Sequence, residues 1–114
     1  MLKVHIYDDE LKEVTELPTI GSTQKSYYGE AKVLTCKDED GALVLYLLSY
    51  DTVVAMVKSG KFYRLWLGWS STTARHINSF RVAVGLPKIS KKDWLNLPCY
   101  VYDDESHVFE QIHA

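Results

Sequence analysis

The tetrapeptide Tyr-Asp-Asp-Glu occurs twice, at Tyr7-Asp8-Asp9-Glu10 and at Tyr102-Asp103-Asp104-Glu105, and a third acidic triplet stands at Asp38-Glu39-Asp40. Contiguous carboxylates suggest cation binding, but hard cations need several oxygens converging from a loop that a glycine bends. Neither Tyr-Asp-Asp-Glu copy carries such a glycine, and neighbouring side chains on a strand point to opposite faces. Each copy lies between two short apolar runs, where a hairpin turn belongs and where Asp is tolerated and solvated. The repeats therefore read as turns.

A second stretch with chemical content is Ser70-Ser71-Thr72-Thr73-Ala74-Arg75-His76. Hydroxyl residues here open a helix, and free N–H groups at a helix start attract anions. Ser71, Thr72 and Arg75 are thus a candidate anion site. Capping by the hydroxyls, with Arg75 held by an internal acceptor, explains the same residues more simply. His76 has the type of a general base, yet no Ser or Cys is tied to it by a recognised spacing. His5, His76, His107 and His113 with Cys36 and Cys99 show no zinc-type pairing, and no phosphate loop or serine elbow is present. The sequence assigns no catalytic residue, no metal and no cofactor.

Charge is the stronger signal. Between Asp51 and Asp93 there is no acid, and Lys58, Lys61, Arg64, Arg75, Arg81, Lys88, Lys91 and Lys92 all fall in that window. Those are eight of the 13 basic residues; the other five face all 15 acids, so a net charge of −2 conceals +8 against −10. Segregation of this kind speaks of partners. The basic window interleaves with Phe62, Tyr63, Trp66 and Trp69, the pairing of cations and rings that suits nucleic acid. The expected contact surface is Lys58, Lys61, Arg64, Trp66, Arg75, Arg81, Lys88, Lys91 and Lys92.

The elements that would position these residues follow from periodicity. At 114 residues the chain makes one domain, 1–114, with a core of its own. Leu2, Val4 and Ile6 alternate as a strand, and Leu11–Val14 returns as a second. Leu17–Ser22 reads as a linker. Ala31–Cys36, Ala42–Tyr50, Val53–Val57 and Lys61–Trp69 form an antiparallel meander, with turns at Asp38–Gly41 and Ser59-Gly60. Ala42–Leu48 is nearly all apolar and needs cover on both faces. A helix follows over Thr72–Val84, stopped by Gly85 and Pro87. Ser90-Lys91-Lys92-Asp93 caps a short second helix, and Tyr100–Tyr102 is a closing strand. The expected fold is α+β: an antiparallel sheet of about five or six strands, one main helix on a face and a short second helix. Two distant cysteines and the absence of a signal sequence or membrane-length apolar run point to a cytoplasmic protein with reduced thiols and no membrane partner. Oligomeric state is not legible.

The segment Leu48–Leu97 resembles an uncharacterised domain found in small proteins of phages and mobile elements of Gram-positive bacteria. The resemblance rests on Ser49-Tyr50-Asp51-Thr52-Val53-Val54-Ala55, on Ser71–Phe80 and on Lys92-Asp93-Trp94-Leu95-Asn96-Leu97. It implies a mobile-element accessory protein and brings no catalytic residue. Such proteins often act by binding host machinery, including as CRISPR inhibitors. Two expectations result. One is a non-enzymatic protein engaging nucleic acid or a nucleoprotein through the basic, aromatic surface. The other is an inhibitor of a host defence protein whose acidic turns mimic nucleic acid.

Overall fold

The computed structural model describes residues 4–19 and 26–112. Leu2 and Lys3 of the expected first strand and Ile20-Gly21-Ser22 of the expected linker lie outside them. The chain is α+β, and its sheet is larger than expected, with eight strands among the described residues, ordered along the chain: β1 (His5–Ile6), β2 (Asp9–Glu16), β3 (Ala31–Lys37), β4 (Leu43–Ser49), β5 (Thr52–Lys58), β6 (Lys61–Arg64), β7 (Cys99–Asp103) and β8 (Val108–Ile112). The extra strands come from the chain's two ends, each of which returns on itself as a hairpin around a Tyr-Asp-Asp-Glu copy.

The β3–β6 meander has the expected turns. Gly41 takes φ +82°, and Ser59 and Gly60 take +53° and +75°, the pair of left-handed residues that a two-residue hairpin turn requires. β6 stops at Arg64, short of the expected Trp69. β4 lies between β3 and β5, paired along its whole length. Bulges in the β2–β3 and β4–β5 ladders bend the sheet. It curls until side chains of its first and last hairpins touch.

Among the described strands only β6 and β7 run parallel, and such a pair needs a long crossover. That crossover holds α1 (Ser71–Ala83) and α2 (Lys91–Asn96). Ser70 caps α1, its hydroxyl accepting from the Thr73 N–H at 3.2 Å, and Gly85 at φ +86° ends it with a bond to the Val82 carbonyl. Ser90 caps α2 through the Asp93 N–H at 3.1 Å, and Pro98 follows it.

Strand alternation divides the apolar residues into two clusters on opposite faces of the sheet. Leu47, Val54 and Ala55 pack under Ile77 and Phe80 of α1 and Trp94 of α2. Leu34, Cys36, Val44, Tyr46 and Met56 fill the other face, covered by Ile6, Leu11, Tyr63 and Phe109. Cys36 and Cys99 are buried free thiols, and burial pushes the Cys36 thiol up to about 11. Among the described residues, no helix is long and apolar enough to cross a membrane.

Candidate partner-binding surface

Two acidic triplets, 28 residues apart in sequence, line one depression at the mouth of the curled sheet, and the third turn adjoins it through Tyr102 and His107. Asp8 lies in the β1–β2 turn, Asp38–Asp40 in the β3–β4 turn and Asp104 in the β7–β8 turn. Asp8, Asp9, Asp38, Glu39 and Asp40 line one depression together with Lys58 and His107. The two Tyr-Asp-Asp-Glu copies touch directly. The Tyr102 hydroxyl donates to Asp8, and His107 Nδ1 lies 3.1 Å from the same carboxylate.

Beside that depression is a cavity of about 250 Å³ walled by Tyr7, Tyr46, Tyr102 and Phe109, with Asp8 and Asp9 on it. Tyr7 is at the centre of the rings, its centroid 5.5 Å from Tyr46, 4.8 Å from Tyr102 and 5.0 Å from Phe109. Its backbone holds φ +57°, a costly conformation for an aromatic residue. The Tyr46 hydroxyl donates to Asp9. Burial first, then that bond and charge, drives the Tyr46 phenol far above its ordinary range. Desolvation and the bond to Asp8 push Tyr102 up to about 12, and burial and Asp104 raise Tyr7. All three phenols stay protonated. Asp38 is held below the usual carboxylate range mainly by the Ala42 N–H, with Lys58 Nζ 3.2 Å away assisting. Asp103 is lowered in the same way by the Glu105 N–H.

The expected basic surface does not form one face. Arg64 is 2% exposed. Its Nε donates to the Trp66 carbonyl at 2.8 Å, Nη2 to Leu67 at 2.7 Å, and Nη1 to Leu97 at 3.1 Å and Leu95 at 3.4 Å. The guanidinium also lies over Trp94. It therefore ties the start of the crossover to its end and sets β7 beside β6, a role that only a planar multi-donor group can fill. Trp66 is half-buried, packed against the helix-side core and over Gly68, where an added Cβ would sit 2.5 Å from its ring. Arg81 lies over Phe62 and donates to the Pro87 carbonyl at 2.8 Å. Lys58 belongs to the acidic mouth. Lys61, Arg75, Lys88, Lys91 and Lys92 remain exposed.

At the start of α1 the cap is Ser70, one residue before the expected anion site; Ser71 and Arg75 point to solvent and Thr72 is half-buried. The Arg75 guanidinium is thus exposed, not held inside; only its carbonyl is engaged, accepting from the Tyr27 hydroxyl at 3.2 Å. His76 is fully buried. Its Nδ1 is hydrogen-bonded to Ser49 Oγ at 2.8 Å, Ser49 in turn to Thr73 Oγ1 at 3.1 Å, and its Nε2 has no partner. Tertiary structure thus brings a serine to His76 that no spacing revealed. Both are sealed from solvent, so the contact serves to fix α1 on β4. Burial lowers the His76 pKa, against a smaller opposite pull from Glu30. Among the described residues, no group of three or more ligating side chains is arranged to hold a metal ion.

Sequence reasoning missed the ring cluster of Tyr7, Tyr46, Tyr102 and Phe109. The signal for it was the tyrosine that precedes each acidic copy. A model described as a family of unknown function, DUF8033, matches residues 15–96, most of the chain, and the chain belongs to that family. The match spans β3 to α2, the meander and its crossover, and leaves out both Tyr-Asp-Asp-Glu hairpins. No curated protein and no solved structure matches.

Proposed function

We propose that this DUF8033 protein is a non-enzymatic binding protein whose acidic mouth engages a basic partner, a protein surface of the kind that otherwise holds nucleic acid. The supporting observation is the convergence of acidic turns on one depression. Carboxylates held together at the end of a rigid sheet project a coherent negative field, which steers a basic partner and repels nucleic acid. Lys58 offsets only part of it. An inhibitor of host defence machinery, encoded by a phage or mobile element, is the setting this chemistry suits. The protein occupies a positive channel and keeps the nucleic acid out.

Neutralising Glu39, Asp40, Asp104 and Glu105 together tests the reading, because these four are exposed and support the fold little. Capture from nuclease-treated bacterial lysate should retain a partner with the parent chain. The variant should bind that partner about tenfold or more weakly at 0.1 M salt, with a shallower salt dependence. A second reading draws on the exposed Lys61, Arg75, Lys88, Lys91 and Lys92, which suit phosphates. Loss of every partner on nuclease treatment, with direct nucleic-acid binding abolished by neutralising Arg75, Lys88, Lys91 and Lys92, would replace the first reading with the second.

A further inference from the structure

We infer that the outer edge of β2 pairs with the same edge of a second copy of this chain, antiparallel about a twofold axis at Val14. The inference goes beyond the proposed reading and makes no use of the acidic mouth. β1 covers β2 only at Asp9 and Glu10, with one further bond from the Leu11 N–H to the Val4 carbonyl. Among the described residues no strand pairs with the rest of that edge, and residues 12–16 are all exposed. The Leu17 N–H points inward, to the Ala31 carbonyl of β3. Backbone groups alternate along a strand, so Val14 and Glu16 turn their N–H and C=O groups outward. A row of unpaired backbone groups is a template for another strand.

Charged side chains usually keep such an edge from pairing, and β2 carries a bulge between Leu11 and Glu13 as well. Here, however, the charges are of both signs and are placed symmetrically about Val14. With Val14 opposite Val14, Lys12 of each copy stands opposite Glu16 of the other, and Glu13 stands opposite Thr15. Lys12 Nζ already lies 2.9 Å from Glu10 on its own strand, and Glu16 faces Lys32 across β3, so each new pair extends an existing run of alternating charge. A slip of two residues sets Glu16 against Val14 in one direction and against Glu10 in the other, and both Lys12–Glu16 pairs are lost. The edge of β8 offers no such match: paired with itself about its centre, it sets Glu110 against Glu110. Val14, 49% exposed and opposite Leu34 on β3, gains an apolar neighbour and two backbone bonds. A contact of this symmetry closes on itself, so the product is a dimer and not a fibre. Because the two β2 strands run antiparallel, their β1–β2 turns stand at opposite ends of the joined edge.

Sedimentation equilibrium of the full chain up to about 1 mM, in about 50 mM salt, tests this. So short an edge should give a dimer with Kd on the order of 0.1 mM. Lys12→Glu alone and Glu16→Lys alone each set like charges opposite one another at both ends of the pair, and each should weaken self-association about tenfold or more. An equimolar mixture of the two variants should recover it, because every contact between positions 12 and 16 across the axis is again of opposite sign. In the parent chain, exchange of the Val14 and Glu16 amides should slow as concentration rises. A parent that stays monomeric at about 1 mM would overturn the inference. So would a dimer untouched by either reversal, or variants that associate no better mixed than apart. The exchange measurement needs no variant, so a misfolded one cannot obscure the result.

Discussion

The two faces of the sheet are both apolar, yet they are covered by different means. On one, the crossover lays Ile77, Phe80 and Trp94 over β4 and β5, and all three are fully buried. On the other, the cover is the chain's own ends: Ile6, Leu11 and Phe109, none of them fully buried, fastened by contacts of Tyr102 and His107 with Asp8. The first cover is held by part-buried bonds from the buried Arg64 and Trp94 to carbonyls; the second by the part-buried Tyr46–Asp9 bond and by exposed polar contacts that water can replace. Buried packing sets global stability, while exposed contacts between distant segments open locally at lower cost. The stable face is the scaffold, and the openable face carries the acidic mouth and its cavity. A binding surface benefits from being on the side that can adjust.

The sharpest break of this comparison is a pair of truncations. Trp94→Ala should cost about 4 kcal/mol, since it empties a sealed site, strips the ring from Arg64 and loses the 2.9 Å bond from Nε1 to the Gly68 carbonyl. Phe109→Ala, half-buried, should cost about 1–2 kcal/mol. Urea denaturation of both variants measures the difference, and equal losses would erase the distinction between the faces. Arg64→Lys comes next. The charge persists but one ammonium cannot serve four carbonyls, so about 2–3 kcal/mol should be lost in the same assay. If the variant were as stable as the parent, the clamp at the crossover would have no weight.

Proton titration sharpens the comparison on the scaffold side. The buried imidazole of His76 binds a proton less readily in the folded chain than its ordinary value of 6.5. The unfolded chain therefore takes up the proton first as pH falls, so stability is complete above about pH 6.5 and declines below it. Urea midpoints at pH 7 and 5.5 should show this decline, and His76→Phe should flatten it. A parent slope no steeper than the variant's would remove His76 as its origin.

The smallest effect belongs to Tyr102→Phe, which deletes the hydroxyl bound to Asp8 and keeps the ring. Global stability should be unchanged within error, while amide exchange in β7 and β8 quickens and that in β3–β5 does not. Exchange that rose equally throughout would mean that the mouth does not open on its own.

Local chemistry decided much of this protein. Alternation located the β3–β6 meander, Ser70 and Ser90 stood where helices begin, and Asp38–Gly41 and Ser59-Gly60 marked the turns, because these signals depend on neighbours a few residues apart. Alternation along Lys61–Trp69 puts Arg64 on the same side as Phe62 and Trp66, the side that became core. What alternation does not carry is which charged residue on an apolar face will find carbonyls to satisfy it. For Arg64 two of the four carbonyls come from the neighbouring Trp66 and Leu67, but the other two are supplied by Leu95 and Leu97, 31 and 33 residues later. Eight strands rather than five or six arose for a related reason: short end hairpins become strands only when a curled sheet gives them a neighbour. The mouth depended on tertiary structure most. Three acidic turns read as solvated punctuation when each is taken alone. Curvature of the sheet, set by two bulges and closed by contacts spanning 94 and 99 positions, brings them together, and no local pattern encodes a distance of that length.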